Sequence, residues 1–170
     1  MRNMTPNMSL PLTAGSDESG PFLAEMSELM GLPVESCDVL KGPSPFWGPG
    51  GLMCRLQVVS ESDATSVQPQ VMLPMSADDL RGQEVDRLLA IQAAVLSETG
   101  WCLGVSREGL MQLSLMSWIH VPVEAVEALD LGNAVALQTL HLLLGGEDDE
   151  DDGDDLLAFP GPRCSNDTCH

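Results

Sequence analysis

The chain has 170 residues, room for one domain with extended ends, and its 44% hydrophobic content is enough for a core, which argues against wholesale disorder. Its net charge of −19 is spread along it: residues 147–155 hold eight acids, and residues 1–146 still hold 17 acids against six bases. Such a field repels phosphate backbones and anionic membrane surfaces, so nucleic acid is excluded as the natural partner and basic or amphipathic protein surfaces are favoured.

In chain order, residues 1–19 are polar and rich in Ser, Thr, Gly and Pro, and read as a mobile arm. A single domain is expected over residues 20–146 and an acidic disordered tail over 147–170. Pro21 starts a short helix with Phe22, Met26, Leu29 and Met30 on one side, ended by Gly31. Residues 37–40 allow a short first strand. Residues 42–51 (GPSPFWGPGG) form a breaker-dense loop that lacks the Gly-Lys-Ser/Thr ending of a phosphate cradle. Residues 52–59 alternate, with Leu52, Cys54, Leu56 and Val58 on one face and Met53, Arg55 and Gln57 on the other. A polar turn at 60–66 precedes a strand at 67–75 with Val67, Val71, Leu73 and Met75 in register. Pro69 cannot donate to a ladder, which predicts a sheet edge or a bulge there.

The sequence Ser76-Ala-Asp-Asp79 resembles a capping box, with Gly82 delaying the regular helix. Residues 84–99 then place Val85, Leu88, Leu89, Ile91, Val95 and Leu96 at helical spacing, and Gly100 is the natural left-handed stop. Two alternating runs, 101–105 and 110–119, flank Ser106-Arg107-Glu108-Gly109 and predict a hairpin. The second run carries Met111, Leu113, Leu115 and Ile119 on one face, with Leu110, Met116 and Trp118 on the other. A strand apolar on both faces needs two coverings, one of them a second subunit. Pro122 opens a last helix that runs to Gly145-Gly146, and Asp130-Leu131-Gly132-Asn133 could split it, with Asn133 recapping the second half. The expected fold is α+β: an antiparallel sheet of about five strands with three helices, ordered α-β-β-β-α-β-β-α, in a homodimer.

Side chains suited to chemistry are scarce. In the acidic run, Asp148, Glu150, Asp152 and Gly153 match EF-hand positions one, three, five and six, but position twelve is Phe159 where a bidentate Glu is required. Cys164, Cys169 and His170 offer three ligands where structural zinc takes four. His120 and His141 have no Ser or Cys partner in a turn built for a nucleophile. The expectation is no enzymatic activity and no cofactor or metal. The five cysteines are odd in number and form no CxxC pair, which fits structural thiols in a reducing cytoplasm. No continuous apolar stretch builds a signal peptide or a membrane span, so the expected location is cytoplasmic. Met is abundant, at ten residues, and Met53 and Met72 fall opposite their strands' main apolar faces, as on a surface that accepts varied apolar partners.

The stretch LLAIQAAVLSETGWCLGVSREGLMQLSLMSWIHVP, followed by an apolar helix, resembles the class I type III secretion chaperones (the Tir-chaperone or CesT-like family). By order of elements the likeness runs from about residue 21 to 146. The long arm, the long 42–51 loop and the acidic tail depart from the family pattern, although the tail resembles the acidic ends of some broad-specificity export-control members. The resemblance implies a cytoplasmic homodimer that binds the non-globular N-terminal region of secreted effectors and delivers it to the export ATPase. It implies a groove formed by Phe22, Met26, Leu29 and Met30 with Met53, Gln57 and Met72. An added client strand would lie along 67–75, beside Val71 and Leu73. It places the dimer seam on Leu88, Ile91 and Val95 with Met116 and Trp118. The competing reading is an acidic regulatory domain whose tail masks a basic partner such as a transcription factor.

Overall fold

The computed structural model describes residues 19–33, 37–42, 44–61, 64–82 and 85–145. The N-terminal arm as far as residue 18, the EF-hand-like run, the 147–170 tail and its Cys164, Cys169 and His170 lie outside the described residues.

The elements run α1 (Gly20–Leu29), α2 (Cys37–Lys41), β1 (Phe46–Trp47), β2 (Met53–Glu61), β3 (Ala64–Ser76), a 3-10 turn (Ala77–Leu80), α3 (Val85–Thr99), β4 (Trp101–Val105), β5 (Leu110–Leu115) and α4 (Pro122–Leu144). The class is α+β as expected, with five antiparallel strands in the order β1-β2-β3-β5-β4. Residues 37–40 are not a strand. They form the short helix α2, with Asp38 in its first turn and Lys41 in its last, each complementing the helix dipole. The first strand is instead Phe46–Trp47, inside the breaker-dense loop.

Strand β3 is central rather than at an edge, since β2 pairs with one side of it and β5 with the other. Pro69 is tolerated there for a local reason. Val67 exchanges both backbone bonds with Ile119, at 2.9 Å each, and paired residues resume only at Gln70↔Ser114. By strand alternation Pro69 points toward the same neighbour as Val67, into the interval between these pairings, where no ladder donor is demanded. The interval exists because β5 stops at Leu115 and residues 116–118 bend away. Met116 and Trp118 are therefore exposed side chains of a bend, and not the outer face of a strand.

Side chains on one sheet face (Cys54, Leu56, Val71, Leu73, Met111, Leu113 and Trp101) form the core with Leu23 and Met26 of α1 and with Leu129, Val135 and Ala136 of α4. Helix α3 packs beside them against β4 and α4, turning Ile91 and Val95 inward. Helix α4 is continuous across Gly132-Asn133. Gly132 is a packing residue, because a Cβ there would come within 2.5 Å of the fully buried Trp101 ring. The capping box at Ser76 and Asp79 forms, but it caps only the 3-10 turn, and α3 starts afterwards. Gly100, at φ +75°, ends α3 as predicted. Among the described residues no helix is long and apolar enough to cross a membrane.

Candidate functional site

The candidate surface is built around the short strand β1. Phe46 pairs with Cys54 and turns into the core, while Trp47 pairs with Met53 and stands 68% exposed. The chain then doubles back through a tight loop in which Gly48 N–H donates to the Leu52 carbonyl at 2.9 Å. Asn133 of α4 clasps that loop. Its Oδ1 accepts from the Leu52 N–H at 3.1 Å, and its Nδ2 donates to the Leu129 carbonyl at 2.7 Å and lies 3.7 Å from Cys54 Sγ. The loop can approach this closely only because residues 48 and 50 lack side chains: a Cβ on Gly48 would strike Cys54 Sγ, and one on Gly50 would strike Asn133. Burial pushes the Cys54 thiol up from 9.0 to about 11, against the opposing pull of Asn133 and the Gly48 backbone.

Four depressions follow one another around this edge. The first, about 900 Å³, lies along α1 and α2 and is lined by Ala24, Ser27, Leu29, Leu32 and Cys37 among others. Leu32 also lines the second, about 260 Å³, which holds Val39, Leu40, Phe46 and Trp47. Trp47 in turn borders the third, an apolar trough of about 530 Å³ on the outer sheet face with Leu52, Met53, Met72, Pro74 and Leu110. Arg55 and Glu108 close that trough and open into the fourth, about 320 Å³ and polar, with Gln70, Arg107 and Gln112. The Arg55 guanidinium stands 3.6 Å from Glu108, and its buried Nε has no hydrogen-bond partner among the described residues. The Glu108 carboxyl is held below its usual range by its own backbone N–H and the Ser106 hydroxyl, with Arg55 adding to the effect.

The same edge offers backbone. Strand β1 covers β2 only at Met53 and Cys54. Because Val67 and its alternate neighbours face β5, the pairs Arg55↔Gln70, Gln57↔Gln68 and Val59↔Ser66 carry the β2–β3 bonds. Leu56, Val58 and Ser60 consequently direct their N–H and C=O groups outward, with no strand beside them among the described residues.

These positions divide the residues expected from sequence. Met53 and Met72 meet in the trough, with Gln57 exposed on the same outer face. Leu29 lies in the α1 depression, joined to the trough only by way of Leu32 and Trp47. Met26 and Val71 are wholly buried, and Phe22 and Met30 pack against the core, so none of the four belongs to the trough. Leu73 borders the trough but is 1% exposed. Strand β3 is flanked by β2 as far as Val71 and by β5, which leaves little room for an added strand along 67–75; of the sheet's outer edges, β2 beyond β1 and β4, the one beside the trough is β2. Ile91 and Val95 are core residues and Leu88 packs against them, so the outward stripe of α3 is Val85, Leu89 and Leu96 instead. Met116 adjoins that stripe through its N–H, which donates to the Gly100 carbonyl at the end of α3. Trp47, Arg55, Leu110 and Asn133 were missed. The aromatic pair amid four glycines was the available signal for Trp47, whereas nothing local marks Asn133.

Among the described residues no three His, Cys, Asp or Glu side chains come together as a metal site would require. No family model, curated protein or solved structure matches this chain.

Proposed function

We propose that this protein is a non-enzymatic chaperone of the class I type III secretion kind, which holds the non-globular N-terminal region of a secreted effector and hands it to the export ATPase in the cytoplasm. The observation that carries the reading is the series of depressions from α1 to the outer sheet face, neighbours sharing Leu32 and Trp47 in their linings, beside the outward edge of β2, which has no strand against it beyond Cys54 among the described residues. A globular partner meets one patch, whereas an extended chain can follow a curved track, drop apolar side chains into successive hollows and bond its backbone to a strand edge. The flexible thioethers of Met53 and Met72 adapt the trough to clients of differing sequence. The outward stripe Val85, Leu89 and Leu96, with Met116 and Trp118 exposed beyond it, is the face on which two copies would join.

The test is co-purification from a secreting strain. The full chain should retain an effector through its N-terminal ~50–150 residues, a span suited to wrapping a large surface. Trp47→Glu, changing a residue already largely solvated, should reduce that capture at least ~10-fold without altering the fold. Equal capture by the variant would remove the track from the proposal.

A further inference from the structure

We infer that the apolar trough is also the docking site of this chain's own C-terminal segment, Asp154-Asp155-Leu156-Leu157-Ala158-Phe159, which competes there with other peptides. The inference takes from the proposed function only that the trough receives an extended peptide. Charge, reach and order along the chain all support it.

Of the five cations among the described residues, Arg55 and Arg107 both line the polar hollow at the end of the trough. A peptide suited to the combined surface is therefore acidic at one end and apolar at the other. The segment after the acidic run has this form, with carboxylates leading directly into Leu156, Leu157 and Phe159. Glu108 is no barrier to an incoming carboxylate: its carboxyl is engaged by its own backbone N–H and the Ser106 hydroxyl and stands 3.6 Å from Arg55, whose five N–H donors leave others to share.

The direction of approach matches as well. The Arg87 guanidinium donates to the Leu142 carbonyl, which ties the last turn of α4 to the first turn of α3. Only residues 81–84 separate α3 from the 3-10 turn, and Ala77 at the head of that turn donates to Gly109 in the β4–β5 loop. The chain therefore leaves α4 at the end of the sheet that carries Arg107, Glu108 and Leu110. Residues 146–153 can span up to about 28 Å, more than twice the roughly 10 Å spacing of packed layers, so the chain can pass from the helix layer around the end of the sheet. The acids arrive first, at Arg107 and Arg55. Beyond them, Leu110, Met72, Met53 and Trp47 lie on successive strands β5, β3, β2 and β1, about 14 Å in all at ~4.8 Å per strand. Six extended residues cover about 20 Å. Tethering supplies an effective concentration of about 1 mM, so a segment binding in trans with a Kd near 100 μM is about nine-tenths docked in cis.

Fluorine NMR of the full chain labelled with 5-fluorotryptophan tests this. Trp47, at the trough, is 68% exposed and reports docking; Trp101, wholly buried, reports the fold. Replacing Leu156, Leu157 and Phe159 together by Ser should shift the Trp47 resonance and leave Trp101 in place. A synthetic peptide of residues 147–160, added to that variant, should restore the original shift, and should fail to do so when Arg55→Glu is also present. Identical Trp47 resonances in the parent and the triple-Ser chain overturn the inference, as does a Trp47 shift that grows with protein concentration, which would mean the tail of another copy. Effector capture by the triple-Ser chain is read separately. Tail docking without capture refutes the chaperone reading alone; capture without docking refutes only this inference.

Discussion

Cys54 and Asn133 define the site at the scale of single residues. Burial holds the Cys54 thiol at about 11 against an ordinary 9.0, so below pH 9 both folded and unfolded chains keep the proton and its contribution to stability is intact. Between pH 9 and 11 the unfolded chain ionises first and stability falls. Wild type should lose about 2 kcal/mol more than Cys54→Ala between pH 8 and pH 10.5, at 1.36 kcal/mol per pKa unit; urea titrations at the two pH values measure it, and parallel curves would refute it. Asn133→Ala removes the acceptor for the Leu52 N–H. An orphaned, partly buried donor costs about 1–3 kcal/mol, against a helix-propensity gain of about 0.5 kcal/mol, so the loss wins. The expected result is destabilisation of about 1–2 kcal/mol, with faster hydrogen exchange at the Leu52 amide. Nothing around residue 133 announces this role. Asn in a helix reads as a cap, and its real partner is 81 residues away in sequence.

Among the elements, β2 carries the consequence. Its Val58 N–H points outward while the pairs on either side hold β3, so Val58→Pro removes a donor from the edge and leaves the ladder whole. That variant should keep its strand signal by circular dichroism and lose most of its affinity for an extended client. Unchanged client affinity would mean that no strand is added there. The element types were largely legible from periodicity: α1, β2, β3, α3, the hairpin and α4 all form, although β2 and β3 extend into the expected 60–66 turn and β5 stops at Leu115. Two things were not. Five residues at 37–41 are too few for periodicity to tell helix from strand, and Pro69 left an edge and a bulge open; the choice rests on where β5 stops and the pairing beside Pro69 slips, a long-range fact. The faces of α3 were misassigned for a related cause. Leu88, Leu89, Ile91, Val95 and Leu96 surround much of the helix, and only the packing of β4 and α4 decides which of them is inside.

For the whole molecule, the unresolved balance is between exposed apolar surface and high charge. Val85 and Leu89 are 67% and 60% exposed, a stripe that monomeric proteins seldom leave bare. The proposed dimer covers it, and Leu89→Glu is the direct probe. Since Leu89 contributes little to the protomer's core, thermal stability of the isolated fold should change by less than about 0.5 kcal/mol. Burying an unpaired carboxylate in a seam costs at least ~2 kcal/mol, so dimer dissociation should become at least ~30-fold easier. Light scattering at micromolar concentration reads the outcome, and a wild-type monomer would remove the seam altogether.

The fit between Gly132 and the Trp101 ring reaches beyond this one sequence. Position 132 has no room for any β-carbon while an indole fills the space beneath it, and position 101 has no freedom to shrink without leaving a void. Neither can drift alone. Among descendants of this chain the two should change together or not at all, a small residue at 132 travelling with a large ring at 101 and a bulkier one with a smaller ring. The 30 residues between them would then mutate around a fixed pair, which makes the pair a marker to look for in any relative of this chain.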